Sequence, residues 1–164
     1  MVRLWLTTII MKDIMAWGFL KRLQEGADQL KLEVAKYQNR DFLKACVGCC
    51  ALIASADGNV DADEKRKTLG FIERNEALKI FDRSDVIQSF NDAVGELEFD
   101  FGLEKDGILK NVKKLAGKDS ASTVVRLAIA IGGADGDFDD DEKKVAVEIA
   151  RELGLNPADF ELPT

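Results

Sequence analysis

The chain has 164 residues, 46% of them hydrophobic and 32% charged, which suits one folded domain and excludes a disordered chain. Its net charge of −7 argues against nucleic-acid binding, which needs a basic face. There is no histidine, so the usual general base at neutral pH and the commonest zinc ligand are missing, and we expect a protein that is not an enzyme.

An apolar segment precedes the predicted domain. Residues 1–11 are apolar, but a Lys-Asp pair follows them, and a helix that spans a membrane needs about 20 apolar residues. We interpret residues 1–14 as an N-terminal extension, with Met15 as an alternative start of the protein. A helix lying at a membrane surface is the other interpretation of this segment. The domain itself is predicted over residues 15–164.

The rest of the chain predicts an all-α fold. Helix-forming residues dominate, and apolar residues recur near the 3.6-residue period of an amphipathic helix. Two segments, 41–56 and 123–134, are apolar around most of their circumference and are predicted to form the buried centre. Seven helices and a short final one are expected. The predicted ranges are 14–37, 41–56, 63–74, 84–97, 103–115, 123–134 and 141–153.

Single residues indicate several helix ends. Ser84 is predicted to cap the helix that it opens, because its hydroxyl can accept a hydrogen bond from a free backbone N–H. Gly117 and Gly154 are predicted to end the helices before them, since glycine readily adopts the left-handed conformation found there. Pro157 suits the first position of the short final helix.

Three cysteines, Cys46, Cys49 and Cys50, lie on one face of the second predicted helix. An odd number within an apolar segment does not indicate a disulfide framework, and it favours a reducing cytoplasm. We predict that the thiols pack in the core, because apolar surroundings disfavour the reactive thiolate.

A ten-residue acidic segment occurs twice. The first acidic segment, residues 56–65 (ADGNVDADEK), recurs 78 residues later as the second acidic segment, residues 134–143 (ADGDFDDDEK), with seven of the ten positions identical. Each follows an apolar helix and precedes an amphipathic one. We therefore predict an internally duplicated helix–acidic loop–helix unit, in which Val60 and Phe138 dock the two loops onto the core.

Two interpretations of the acidic segments stay open. Asp-Gly favours a turn, and Asp followed three residues later by Glu resembles a capping box, so helix initiation can account for several acids. However, six acids fall within residues 135–142. A helix cap needs only one or two acids, so this segment holds more negative charge than capping requires. Alternating oxygens around a turn can surround Ca²⁺ or Mg²⁺, although the glycine and closing glutamate of an EF-hand are absent. The oxygens that alternate in this way belong to Asp57, Asn59 and Asp61 in the first segment and to Asp135, Asp137 and Asp139 in the second.

A third acidic stretch, residues 96–106, alternates acids with apolar residues. We predict a linker whose apolar side chains insert into the core, and a second cation or partner patch is the alternative. The apolar residues concerned are Leu97, Phe99, Phe101 and Leu103.

Both acidic segments occur together with residues 76–82 (EALKIFD) and 99–101 (FDF), between Met15 and Leu162. In this combination the chain resembles the TerB family of bacterial tellurite-resistance proteins. The resemblance implies a compact seven-helix fold with pseudo-two-fold symmetry, a cytoplasmic protein, and acidic clusters that bind Ca²⁺ or Mg²⁺. The candidate metal ligands that it implies are the acids repeated in both segments: Asp57, Asp61, Glu64, Asp135, Asp139 and Glu142. The resemblance also implies a role in resistance to tellurite and other stresses, with protein partners that include an integral membrane protein.

The sequence thus predicts a cation-responsive interaction module without enzymatic activity. One alternative is a structural acidic adaptor that binds a basic partner and no metal. Another is a thiol enzyme that uses the three cysteines.

Overall fold

The computed structural model describes residue 21 and residues 24–164. The predicted N-terminal extension, the alternative start at Met15 and the first part of the helix predicted over residues 14–37 lie outside the described residues. Among the helices that the structure describes, none has the length and apolar character needed to cross a membrane.

The described residues form seven α-helices and two short 3₁₀ helices and contain no strand, which confirms the all-α prediction. From the second predicted helix onward, each observed boundary lies within two residues of the predicted one. The elements are α1 (residues 24–34), α2 (Arg40–Ala54), α3 (Ala62–Arg74), the 3₁₀ helix Glu76–Ile80, α4 (Arg83–Phe99), α5 (Phe101–Lys113), α6 (Ala121–Gly132), α7 (Asp140–Glu152) and the 3₁₀ helix Pro157–Phe160.

Side-chain caps begin most of these helices. Asn39 begins α2, because its Oδ1 accepts a hydrogen bond from Phe42 N at 2.9 Å. Asp82 begins α4 in the same way, accepting from Ser84 N at 2.8 Å. The prediction that Ser84 is the cap is therefore wrong. The carboxylate two residues earlier is the stronger acceptor at the positive end of the helix, and Ser84 lies inside α4.

One of the two predicted glycine terminators is confirmed. Gly154, at a φ of +74°, directly follows Leu153, the C-cap of α7. Gly117 also has a positive φ, +75°, but α5 ends at Lys113 with Lys114 as its C-cap, so Gly117 lies in the turn beyond the helix. Pro157 is the first residue of the last 3₁₀ helix, as expected.

Helix α2 lies at the centre of the fold and contacts α3, α4, α5, α6 and α7. Eleven of its 15 residues are buried, because each of its sides meets another helix. Its largest contact is with α6, and together they form the buried centre that their apolar sequences predict. At Gly48 a Cβ atom would lie 2.9 Å from Ile108 Cγ2, so α5 approaches α2 closely there.

The third acidic stretch is not a linker. Helix α4 runs to Phe99 and α5 begins at Phe101, with Asp100 alone between them. Leu97 is buried and Phe101 half-buried, as predicted, but Phe99 is 89% exposed and Leu103 65% exposed. The expectation that all four side chains enter the core is wrong for these two, because a helix directs only every third or fourth residue to its inner face.

Candidate cation site between the two acidic segments

The first acidic segment connects α2 to α3 through a tight turn. Gly58, at a φ of +84°, donates its N–H to the carbonyl oxygen of Ser55 at 2.9 Å, in a conformation that glycine adopts at little cost. Asp57 Oδ1 accepts a hydrogen bond from Asn59 N at 3.0 Å. Asp61 Oδ1 accepts from two N–H groups in the first turn of α3 and is the N-cap of that helix.

The second acidic segment has the same turn between α6 and α7. Gly136, at a φ of +82°, donates to the carbonyl oxygen of Gly133 at 3.0 Å, and Asp135 Oδ1 accepts from Asp137 N at 2.9 Å. The two turns therefore share one backbone geometry at positions 78 residues apart. Duplication of the whole helix–loop–helix unit stays a prediction.

The two segments differ in how they begin the following helix. Asp139 Oδ1 accepts from Glu142 N at 2.8 Å, and Glu142 Oε2 accepts from Asp139 N at 2.8 Å, which makes a complete capping box. In the first segment Asp61 caps α3, but within the described residues Glu64 makes no bond back to Asp61 N. The carboxylate of Glu64 is therefore not committed to a cap, whereas that of Glu142 is.

Each segment also carries the apolar anchor that the sequence predicts. Val60 and Phe138 are partly buried and pack against the core. Phe138 fits because α6 has a glycine at the closest approach: a Cβ on Gly132 would lie 3.0 Å from the Phe138 ring and 2.8 Å from Ile53 Cγ2. Phe138 thereby holds the second acidic segment against α6.

The two acidic segments meet at one small cavity of about 50 Å³, with room for a few water molecules or a partly hydrated ion. Glu64 lines it from the first segment, and Asp135 and Glu142 line it from the second. Helices α2 and α6 form its floor. The other lining residues are Cys50, Ile53, Ala54, Lys67, Thr68, Phe71, Ile131 and Gly132.

The structure thus brings three of the six predicted ligands to the cavity. The other three lie outside its lining and accept backbone hydrogen bonds in the turns and caps: Asp57, Asp61 and Asp139. In the part of the chain that the structure describes, no three His, Cys, Asp or Glu side chains converge closely enough to form a metal site by themselves. A cation here would therefore take part of its coordination from water.

Glu142 has the most strongly raised pKa among the carboxyl groups at the cavity. Burial raises its pKa, the hydrogen bond from Asp139 N lowers it, and the charges of Asp139, Asp135 and Asp137 raise it again, to about 7. The ionised form is thus held among like charges in a partly dry environment. A cation bound at the cavity would offset the repulsion between these charges.

Glu64 shows that the charges of the two segments interact. Burial raises the pKa of Glu64, and the carboxylates of Asp57, Asp61 and Asp139 raise it further, although Asp139 belongs to the second segment. Lys67 lowers this pKa and also lines the cavity. Sequence reasoning missed Lys67, yet its spacing of three residues from Glu64 on α3 places both on one helix face.

The atoms around the cavity suit a hard cation. The carboxylates of Glu64, Asp135 and Glu142 and the hydroxyl of Thr68 are oxygen donors, which Ca²⁺ and Mg²⁺ prefer. The one lining sulfur belongs to Cys50, and burial raises the pKa of its thiol to about 12, so the thiol is protonated at neutral pH when no metal is bound. The donor set therefore fits Ca²⁺ or Mg²⁺ better than Zn²⁺ or Cu²⁺.

All three cysteines are buried in α2, in agreement with the prediction. Burial raises the pKa of Cys46 and of Cys49 well above the ordinary value, and interactions with the neighbouring thiols raise both further. Such thiols stay protonated at neutral pH and are poor nucleophiles. The geometry gives no support to thiol catalysis.

The fold and the two matching turns define a class of protein: a small acidic all-α domain whose carboxylate-rich turns meet at one cavity. The chain belongs to the TerB family, since the family model described as Tellurite resistance protein TerB matches residues 43–163. The Tellurium resistance protein TerB of Alcaligenes sp is 34% identical over 110 residues, which cover 67% of this chain and 88% of the relative. No solved structure matches the chain. The resemblance seen in the sequence is thereby confirmed.

Proposed function

We propose that this protein is a non-enzymatic interaction module that binds a divalent cation, Ca²⁺ or Mg²⁺, in tellurite and stress resistance. The observation that supports this most is the shared cavity, where carboxylates of both acidic segments meet and the pKa of Glu142 is raised to about 7. Like charges held this close oppose folding, and a cation between them offsets the repulsion.

The acidic residues would have two tasks. Glu64, Asp135 and Glu142 would supply carboxylate oxygens to the ion, and the other three predicted ligands would hold the turns and add negative potential. The bound ion supplies fixed positive charge. Because Glu64 lies on α3 and Glu142 on α7, their attraction to that charge would join the two helices and order the surface around them.

Family membership and the name of the Alcaligenes relative support the role in resistance. We further propose that the protein acts in the cytoplasm, with protein partners that include an integral membrane protein. The net charge of −7 makes a nucleic-acid partner unsuitable.

A structural acidic adaptor is the second candidate function, and it has its own support. Backbone hydrogen bonds already engage Asp61, Asp139 and Glu142, and Lys67 brings a positive charge to the cavity. An adaptor needs no metal, and its negative face binds a basic partner. The adaptor hypothesis predicts that partner binding weakens as the salt concentration rises. It also predicts that Ca²⁺ and Mg²⁺ leave the free energy of unfolding unchanged.

Thermal unfolding of metal-free protein, with and without Ca²⁺ or Mg²⁺ at constant ionic strength, separates these two functions. At a hundredfold excess of cation over the dissociation constant, binding stabilises the folded state by about 2.7 kcal/mol. For a domain of this size we expect Tm to rise by roughly 5–10 °C. If neither cation changes Tm, cation binding is contradicted and the structural acidic adaptor is the better explanation.

A matched pair of variants locates the site. Asp135→Asn with Glu142→Gln replaces two carboxyl groups at the cavity with neutral amides, whose oxygens can still accept the backbone hydrogen bonds. This variant is expected to lose the rise in Tm. Asp119→Asn with Glu161→Gln replaces two carboxyl groups at exposed positions and is expected to keep the rise in Tm. A full response in the first variant would show that the cation binds elsewhere.

A further inference from the structure

An apolar corner, formed by Phe99 and Leu103, projects where α4 ends and α5 begins. Phe99 is 89% exposed and Leu103 65% exposed. In the described part of the chain, the other large apolar side chain this exposed is Leu32, on α1. The two residues lie on either side of Asp100, the single residue between α4 and α5, and contiguous exposed apolar surface with a polar rim is typical of interaction sites.

The backbone holds both side chains outward. Asp100 Oδ1 accepts a hydrogen bond from Leu103 N at 3.1 Å, so α5 begins immediately after α4 ends. Leu97 and Phe101 take the inward-facing positions of this stretch and pack with the core. Packing of the fold therefore does not account for large apolar side chains at Phe99 and Leu103.

Negative charge surrounds the apolar corner. Residues 96–106 contain five acids and one lysine, which gives a local net charge of −4. That lysine, Lys105, lies 2.7 Å from Glu148 of α7, so its charge is already paired. A negative rim around apolar side chains complements an apolar surface bordered by lysine or arginine. The acids concerned are Glu96, Glu98, Asp100, Glu104 and Asp106.

We propose that the apolar corner docks a basic amphipathic segment of a partner protein, whose apolar face covers Phe99 and Leu103 while its lysines or arginines meet the surrounding acids. A second copy of this chain would bring the same negative rim and a net charge of −7, so repulsion opposes self-association here. An anionic membrane is repelled for the same reason.

The apolar corner also lies beside the first acidic segment. Lys65 Nζ, on α3, is 4.0 Å from Glu98 Oε1, on α4, which places the end of α4 next to the first turns of α3. Asp61 caps that same end of α3. A basic segment on the corner therefore reaches the edge of the first acidic segment. The inference rests on the interaction role proposed above and not on cation binding.

A synthetic peptide of leucine and lysine, helical with one apolar and one basic face, provides the test. Its Kd for the full chain is measured by calorimetry in the presence of EDTA, beside a scrambled peptide of the same composition that has no apolar face. Phe99→Ala and Leu103→Ala are each expected to weaken binding about tenfold or more, as loss of a buried anchor does. Leu32→Ala is the matched control, because Leu32 is 64% exposed on another helix, and it is expected to leave Kd unchanged.

Equal Kd values for the wild type and Phe99→Ala, equal binding of the scrambled peptide, or an equal loss in Leu32→Ala would overturn the inference. A dimer that depends on Phe99 in sedimentation equilibrium would instead assign the corner to a second copy. Binding to phosphatidylserine vesicles that depends on Phe99 would assign it to a membrane. Because EDTA is present throughout, a failure here is distinct from a missing Ca²⁺ or Mg²⁺ response.

Discussion

Glu142 is subject to two opposing demands. As the third residue of α7 it accepts a hydrogen bond from Asp139 N, which favours the ionised carboxylate. Burial and three neighbouring aspartates favour the protonated form more strongly, so its pKa lies at about 7. The first turn of α7 is thus stabilised by an ionised Glu142, whereas burial and the surrounding negative charge destabilise that ionised form. The stability of this site should therefore depend on pH and on cation concentration.

The pH dependence of stability follows from this pKa. Between pH 4.5 and about 7 the folded state keeps a proton that the unfolded state releases, so the contribution of Glu142 to the unfolding free energy falls as pH rises through this window. Glu142→Gln keeps the acceptor and does not titrate. Relative to the wild type in metal-free buffer, it is expected to gain on the order of 1 kcal/mol across this range, since the partly exposed group is screened.

Urea unfolding of both proteins at a series of pH values measures this difference. If the two stability curves run parallel from acid to neutral pH, Glu142 does not titrate in this window and the charge of the cavity is distributed differently. Asp119→Asn, at an exposed position, controls for the change in net charge.

Local chemistry made the roles of individual acids in the two segments predictable one by one. The Asp-Gly turns and the caps at Asp61 and Asp139 depend on residues a few positions apart, and the sequence displays them directly. That Glu64 and Glu142 reach one cavity, with Lys67 beside them, depends on how α3 packs near α6 and α7. No local spacing encodes that packing.

Glycines within helices determine how closely neighbouring elements of this fold can pack against each other. Gly132 in α6 leaves room for Ile53 of α2 and for the Phe138 ring, whereas Gly95 in α4 has no atom within 4 Å of its would-be Cβ. Sequence alone does not distinguish the two glycines, because their roles depend on the neighbouring helix. The exposure of Phe99 was not predictable for the same reason. In the sequence Phe99 is one of several apolar residues that alternate with acids, but in the structure it lies on the outer side of the corner between α4 and α5.

Alanine at these two positions is expected to act in opposite directions. Gly132→Ala places a Cβ 2.8–3.0 Å from Ile53 and Phe138, and such overpacking destabilises by about 1–3 kcal/mol. Because Phe138 must then move, the second acidic segment loses its anchor, and the response of Tm to cations should weaken. Gly95→Ala adds a methyl group in open space and is expected to stabilise by about 0.5–1 kcal/mol. Urea unfolding measures both, and a neutral Gly132→Ala would show that Phe138 repacks freely.

The molecule as a whole is organised around α2. Since this helix contacts five others among the described residues, its buried face becomes accessible through a broad opening of the fold rather than by fraying of one element. The apolar character of α2 and α6 made this centre predictable, because a helix that is hydrophobic all round has to be buried. Their neighbours were not predictable, because amphipathic helices of similar length can pack around such a centre in several orders.

Thiol labelling tests this organisation. Cys46, Cys49 and Cys50 are at most 2% exposed, so we expect all three to react with an aromatic disulfide at one slow rate, at least about 10³-fold slower than in the urea-unfolded chain. Cys50 is the most informative, because it lines the cavity beneath the acidic segments. A fast phase of labelling that is absent in Cys50→Ala would show that the cavity opens locally. The thiol-enzyme hypothesis would then have to be considered again for this site. One common slow rate instead ties access to the cavity floor to unfolding of the whole domain, as a fold centred on α2 requires.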